Sequence, residues 1–389
     1  MEKKILIIAG EASGDMHGAH LVTHIKKLNP KISFFGLGGK DMKNAGVHIE
    51  YDITRLAVVG FFEILKNYSK FKDIFNNILH KTKNQKPDAA ILIDYPGFNL
   101  RLAGELKKMG IPVIYFISPQ VWAWGEKRIK FIKKTISLML VLFKFEEVLY
   151  MDKTFHVKFV GHPLLDTVKP QKTKTQFLES VSFKKGLTTI ALLPGSRERE
   201  VSNLLPRMLK AAQMIFQKNA NTQFFICRTT SLPKELFKRI IDKEKIDFTY
   251  TITDDSTYEA LNACDLAIVA SGTATLETAI LNKPMIIVYK VSLSTWLLAK
   301  MFVKIPYIGL VNVVAGKKIV PELIQFNATP KKIFLTATEL LHNKKKQEKI
   351  HAQLYALKNS LGIPGAYNRT AQEIVHFLAD SKKAQPPWR

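Results

Sequence analysis

Cysteine is almost missing from this chain. Only Cys227 and Cys264 occur, each inside an apolar run and neither with a CxxC partner. That excludes a disulfide scaffold and a cysteine zinc site, and it suits a reducing compartment, with both thiols read as core residues. The ten histidines are not expected to form a ligand set, so neither a metal nor any other cofactor is expected. Long apolar runs are missing too. The longest candidate, 291–315, is broken by Lys300, Lys304 and Pro306, whereas a spanning helix takes roughly 20 nearly uninterrupted apolar residues. The run Ile5–Ala9 behind Met1-Glu2-Lys3-Lys4 is too short for a signal-peptide core and reads as a first strand. Acidic residues are the scarce charge: 33 Asp and Glu against 58 Lys and Arg leave a net charge of +25. Such a balance favours an anionic partner (nucleic acid, an anionic lipid surface or phosphorylated substrates), or it is simply solvated lysine. Zinc-finger spacing, an RNP motif and a basic region with heptads are all absent, so nucleic acid is not expected.

What is present is alternation. With 389 residues, 47% hydrophobic and 23% charged, the chain is globular and long enough for two domains. Short apolar runs (Ile5–Ala9, Ile32–Phe35, Ala89–Ile93, Val113–Ile117, Leu138–Leu142, Lys158–Val160) are separated by amphipathic stretches such as Asn99–Met109 and Glu126–Lys134. After the polar segment 169–185, the pattern restarts with Thr188–Leu193, Gln223–Cys227, Phe248–Ile252, Leu266–Val269 and Met285–Val288. Repeated βα units predict parallel sheets with helices on both faces. The expected class is therefore α/β, with two doubly wound Rossmann-like domains, 1–168 and 186–330, facing a cleft. The segment 169–185 reads as a linker, and 331–389 as a helical tail returning to the first domain. Open parallel sheets bind ligands beyond the carboxyl ends of their strands, so function is sought there.

Five segments sit at such ends. Gly10-Glu11-Ala12-Ser13-Gly14-Asp15 follows the first strand. It is no GxGxxG fingerprint, and its acids argue against a pyrophosphate cradle; they suit sugar hydroxyls, or Asp15 caps the helix. Asp94, closing an apolar strand before Tyr95-Pro96-Gly97, is either a general base or the brace of that turn. Ser118-Pro119-Gln120-Val121-Trp122-Ala123-Trp124 offers two tryptophans for stacking or for the core. Gly195-Ser196-Arg197, opening the second domain without Walker A spacing, places an arginine at a helix start, which suits a diphosphate. Ser271-Gly272-Thr273 leads small residues into a helix bearing Glu277, which holds ribose hydroxyls or completes a capping box. Apart from these, Leu56–Phe71 and Ser294–Ile308 combine aromatics, leucine and lysine, as a membrane-interface helix or a core-facing helix would. Asp254-Asp255 reads as a turn.

Together, G-E-A-S-G-D, I-D-Y-P-G-F-N, S-P-Q-V-W-A-W, V-G-H-P-L, L-L-P-G-S-R-E-R-E, A-S-G-T-A-T-L-E and L-V-N-V-V-A-G resemble, in this order, the lipid-A-disaccharide synthase family, from Ile5 to about Ala379. The resemblance implies the glycosyltransferase-B architecture. It implies inverting transfer of 2,3-diacylglucosamine from its UDP form to the 6-hydroxyl of 2,3-diacylglucosamine 1-phosphate, giving a β-1,6 tetraacyl disaccharide 1-phosphate and UDP. Carried over residue by residue, Asp94 is the base. Arg197, Ser271, Gly272, Thr273 and Glu277 hold UDP, and Glu11 and Asn312 line the donor or acceptor pocket; Gly195, Ser196, Ser13 and Asp15, from the same loops, are read as further substrate- or nucleotide-binding residues. Tyr95 and Gly97 receive no role. The lipid substrates imply a cytoplasmic protein peripheral at the anionic inner-membrane surface; a homodimer by tail exchange is compatible but not required. The competing expectations are another UDP-sugar transferase or epimerase on the same fold, or a non-catalytic basic module binding membrane or nucleic acid.

Overall fold

The computed structural model describes residues 2–54, 68–121, 126–293, 295–296 and 306–380. Trp122 and Trp124 lie outside the described residues, as does most of the two apolar, lysine-bearing segments. The chain divides into two units, Met1–Pro163 with Leu361–Arg389, and Leu164–Ser360.

The first unit carries β1 (Lys3–Ala9), β2 (Ile32–Gly38), β3 (His48–Asp52), β4 (Ala89–Ile93), β5 (Val113–Phe116), β6 (Leu138–Val141) and β7 (Val157–Phe159). They form one sheet in the order β3-β2-β1-β4-β5-β6-β7, with every pairing parallel. Crossover helices cover both faces of such a sheet, which is why its central strands are apolar throughout rather than alternating. All five residues of β4 are buried, as are Ile5 to Ala9 of β1. Strand order reverses between β1 and β4, so the crevice for a ligand opens at their carboxyl ends. The edge strand β3, His-Ile-Glu-Tyr-Asp, escaped the sequence pattern because it is only partly buried and carries edge charges.

The second unit repeats the plan with β8 (Thr188–Leu193), β9 (Thr222–Arg228), β10 (Tyr250–Asp254), β11 (Leu266–Ala270), β12 (Met285–Tyr289) and β13 (Glu322–Ile324). The order is β10-β9-β8-β11-β12-β13, again parallel, with the reversal between β8 and β11. The polar segment 169–185 is part of this unit. Thr173 caps helix Lys174–Ser180, accepting from the Gln176 N–H at 3.3 Å. Phe177, Leu178 and Phe183 are buried, with Phe183 stacked on Phe225 at 4.7 Å. Three apolar side chains among lysines and threonines suffice to dock the segment, a feature that composition hides. Helices Pro330–His342 and Lys344–Ser360 also belong to the second unit; the tail that returns to the first starts at Leu361. Its helix Ala366–Ala379 packs on helix Ala12–Leu28. Arg369 fastens it, its Nε donating to the Val160 carbonyl at 2.9 Å, while the His162 N–H donates to the Leu361 carbonyl at 3.0 Å.

Candidate active site

At the carboxyl end of β4 the chain turns through two consecutive left-handed residues, Asp94 (φ 44°) and Tyr95 (φ 47°), before Pro96 opens helix Pro96–Lys108. Non-glycine residues in this region carry roughly 1–3 kcal/mol of strain each and persist only where their surroundings over-determine them. Here they do. The Asp94 N–H donates to the Phe116 carbonyl at 3.0 Å. The Asp94 carbonyl accepts from the Tyr115 hydroxyl at 2.5 Å and from Asn99 Nδ2 at 2.8 Å, and Asn99 Nδ2 also reaches the Ile93 carbonyl at 3.1 Å. Burial holds the Tyr115 hydroxyl protonated, well above its ordinary range, with the charge of Asp94 adding to the effect. The backbone that carries the carboxyl is thus clamped at the switch point. Burial, then the negative charge of Glu11, raise the Asp94 carboxyl from 3.8 to about 6; a hydrogen bond with the Tyr95 backbone partly opposes them. A carboxylate that titrates near neutrality is matched to general-base work.

Glu11 precedes helix Ala12–Leu28, and it and Ser13 are exposed at the end of β1. Asp15 is different. It is 4% exposed, and its carboxylate accepts from the N–H groups of Gly39 (2.7 Å), Asp41 (2.9 Å) and Met42 (3.2 Å). It caps the start of another helix, Lys40–Asn44, rather than its own. Of the two readings the sequence left open for Asp15, the geometry shows a cap, made to another helix, with three N–H donors on the carboxylate. Gly10, at the head of the same loop, leaves the space that the Tyr95 ring fills.

In the second unit a cavity of about 330 Å³ opens over the β8–β11 reversal. Gly195 and Ser196 from the turn after β8, Ser271, Gly272 and Thr273 after β11, and Glu277 all line it, so six of the residues singled out from the sequence meet in one place. Gly195 (φ 115°) and Gly272 (φ 150°) adopt backbone that other residues avoid, and a Cβ on Gly195 would stand 2.6 Å from Glu200 Oε2. Ser271 Oγ donates to the Ile308 carbonyl at 3.0 Å, joining the loop after β11 to the segment before β13. Burial raises the Glu277 carboxyl above its ordinary value, against an opposing hydrogen bond from the Tyr258 hydroxyl at 3.2 Å.

Two expected residues stand apart from this cavity. The Arg197 side chain is 81% exposed, and its Nη1 pairs with Glu200 Oε1 at 3.2 Å; it is not among the lining residues. Asn312 is fully buried. Its Nδ2 donates to the Val320 carbonyl (2.9 Å) and Glu322 Oε1 (2.8 Å), and its Oδ1 accepts from the N–H groups of Ile319 (2.8 Å) and Val320 (3.1 Å). All four side-chain hydrogen-bonding positions are filled, which corrects its expected place in a pocket wall. Conversely, Glu200, Arg228, Thr229 and Thr257 line the cavity without having been singled out. The candidate strand Gln223–Cys227 stopped one residue short of Arg228, which closes β9. Asp254, expected in a turn, is the last residue of β10 and lies opposite Arg228 in register.

One HxxxH spacing does occur, His20 to His24. Both rings stack on Tyr367, at centroid distances of 4.9 and 5.9 Å. Among the described residues no cluster of three His, Cys, Asp or Glu side chains could hold a metal, and no helix is long and apolar enough to cross a membrane.

Two doubly wound parallel sheets in succession define the glycosyltransferase-B type of fold. Solved structures of that kind cover nearly the whole chain: UDP-GlcNAc 2-epimerase from Neisseria meningitidis bound to UDP-GlcNAc (TM-score 0.63, 13% identity, 97% of this chain and 100% of that one), and MurG of Acinetobacter baumannii (TM-score 0.58, 15% identity, 96% and 99%). At these identities the likeness is one of fold. Sequence carries the rest. The Lipid-A-disaccharide synthetase family model matches residues 5–373. The lipid-A-disaccharide synthase of Syntrophus aciditrophicus is 44% identical over 97% of this chain and 99% of its own length, and that of Coxiella burnetii 38% over 97% and 98%. The chain belongs to the lipid-A-disaccharide synthetase family and is a glycosyltransferase of lipid A disaccharide synthesis, acting on UDP-sugar and lipid substrates. The epimerase and basic-module alternatives are not favoured.

Proposed function

We propose that the chain transfers 2,3-diacylglucosamine from its UDP form to the 6-hydroxyl of 2,3-diacylglucosamine 1-phosphate, with inversion, releasing UDP. The observation that carries this reading is Asp94, a clamped carboxylate at the β1–β4 switch point that titrates at about 6. Such a base takes the proton of the attacking hydroxyl as the glycosidic bond forms, for a contribution of roughly 10²–10⁴-fold. Glu11 and Ser13, exposed beside it, offer polar contacts for sugar hydroxyls. The second unit holds UDP: the Gly195-Ser196 turn and the Ser271–Thr273 loop leave room for the diphosphate, Glu277 takes the ribose hydroxyls, and Arg197 reaches in by leaving Glu200. Departure of UDP is then eased by backbone dipoles and arginine.

Acyl chains contribute about 0.8 kcal/mol per buried methylene to membrane partition. The substrates therefore stay in the bilayer, and the enzyme works as a peripheral protein at the cytoplasmic face of the inner membrane. A net charge of +25 supports that reading, since each lysine near an anionic surface adds about 1 kcal/mol. The test is an assay in detergent micelles, without added metal, that follows UDP and disaccharide by mass. Stoichiometric UDP and tetraacyl disaccharide are expected. UDP release with free sugar and no disaccharide would reject the reading.

A further inference from the structure

Among the described residues lining the cavity of the second unit, Arg228 is the cationic side chain; Glu200 and Glu277 supply acid there. It ends β9, next to the β8 turn, and its side chain is only 11% exposed. Its neighbour in register across the parallel pair is Asp254, and Nε donates to Asp254 Oδ1 at 2.6 Å. Nη1 donates to the carbonyl of Leu232 in the loop that follows β9. A guanidinium has five N–H groups; these two bonds hold its plane and leave the others for the cavity. Lys234 stands 3.7 Å from the other Asp254 oxygen, so the carboxylate that anchors Arg228 is itself braced by a second cation. Arg197, by contrast, is 81% exposed and paired with Glu200.

We propose that Arg228, held by Asp254, is a binding residue for the diphosphate of the nucleotide donor. This rests on the reading of the cavity as the UDP site. The chemistry favours phosphate over the nucleoside. A diphosphate entering a cavity that already holds two carboxylates needs a cation in its wall, and a guanidinium fixed before the ligand arrives forms charge-assisted forked bonds at little entropic cost. An exposed arginine must first be ordered, whereas this one is already in place.

Calorimetric titration of UDP, UMP and uridine into the wild type, Arg228→Gln and Arg228→Lys tests it. In Arg228→Gln the Kd for UDP is expected to rise about 10- to 100-fold, as for loss of hydrogen bonds to a charged group, while that for uridine stays within about two-fold. Arg228→Lys keeps the charge without the fork and is expected to fall between. Comparing UDP with uridine on one sample separates the effect from misfolding, which lowers the binding stoichiometry for both ligands alike; if Arg228→Gln does not fold, the same comparison on Arg228→Lys decides. An unchanged Kd for UDP, or equal weakening of UDP and uridine in folded protein, overturns the assignment. A wild type that binds no UDP removes the cavity reading itself, and this inference with it.

Discussion

The ring of Tyr95 occupies the space that a side chain at Gly10 would need: Cδ1 of the ring lies 2.1 Å from the position of a Cβ there. The contact joins the ends of β1 and β4 across the switch point and lies beside Asp94. Because the blocking atoms are at the root of the ring, rotation of its far end gives no relief. Gly10→Ala is expected to destabilise the protein by about 1–3 kcal/mol in urea unfolding, as overpacking does. Adding Tyr95→Ala should recover much of that loss. Strictly additive effects of the two changes would contradict the contact.

The raised Asp94 carboxyl has a cost in stability. Its folded-state value of about 6 lies above the ordinary 3.8, so between these pH values the native state holds a proton that the unfolded chain has released. Stability therefore falls as pH rises through this window, by about 3 kcal/mol in full. Asp94→Asn should lose turnover while leaving UDP binding intact, and should be more stable than the wild type at pH 8 but not at pH 4. Unchanged turnover would remove Asp94 as the base.

As the proposed base, the same carboxyl is expected to set the acid limb of activity. The base must be ionised, so kcat/KM should rise with pH and level off above about 6. Glu11 is the second cause of the raised value, after burial. Glu11→Gln removes a like charge and should move the limb to lower pH; a limb that stays in place would separate Glu11 from the base.

His17 and His162 act in the opposite sense. Burial, with His20 adding, lowers His17 from 6.5 to about 4, and burial, with His17 adding, lowers His162 to about 3. His17 Nδ1 lies 2.7 Å from the Tyr367 hydroxyl, beneath the returning C-terminal helix. Both rings charge in the unfolded chain before they do in the folded one, so their contribution is whole above pH 6.5 and is lost as pH falls toward the folded values. Over that window two histidines outweigh the one Asp94 proton, and net acid destabilisation of the first unit is expected. Urea midpoints from pH 8 to 4.5 measure it, and His162→Gln should flatten the profile. Midpoints that rise on acidification would refute the assignment.

Asn312 should behave as a structural residue. Asn312→Ala leaves Glu322 and the N–H groups of Ile319 and Val320 short of partners, at a cost of about 2–4 kcal/mol. Calorimetry of the folded fraction should then show UDP affinity close to wild type, whereas a large loss of affinity without loss of stability would return Asn312 to the binding site.

Where strands end was legible because a buried parallel strand must be apolar along its length, and Ala89–Ile93 and Thr188–Leu193 were read with the bounds they have in the structure. With right-handed crossovers a parallel sheet gains helices on both faces only if its strand order reverses, so the strand ends were the places to seek chemistry, while the reversals at β1–β4 and β8–β11 belong to the tertiary structure. The sequence by itself thus determined the α/β class, two sheets, the family, and which loops stand at the strand ends. Tertiary structure decided what each polar side chain in those loops does, because hydrogen-bond partners come from anywhere in the chain. Asp15 serves a turn at Gly39 to Met42, Asn312 is filled by a segment seven to ten residues further on, and Arg228 meets Asp254 across 26 positions. A local motif specifies where a carboxylate, amide or guanidinium stands; only the packed neighbours determine whether its hydrogen-bonding capacity is already spent or still open to a ligand.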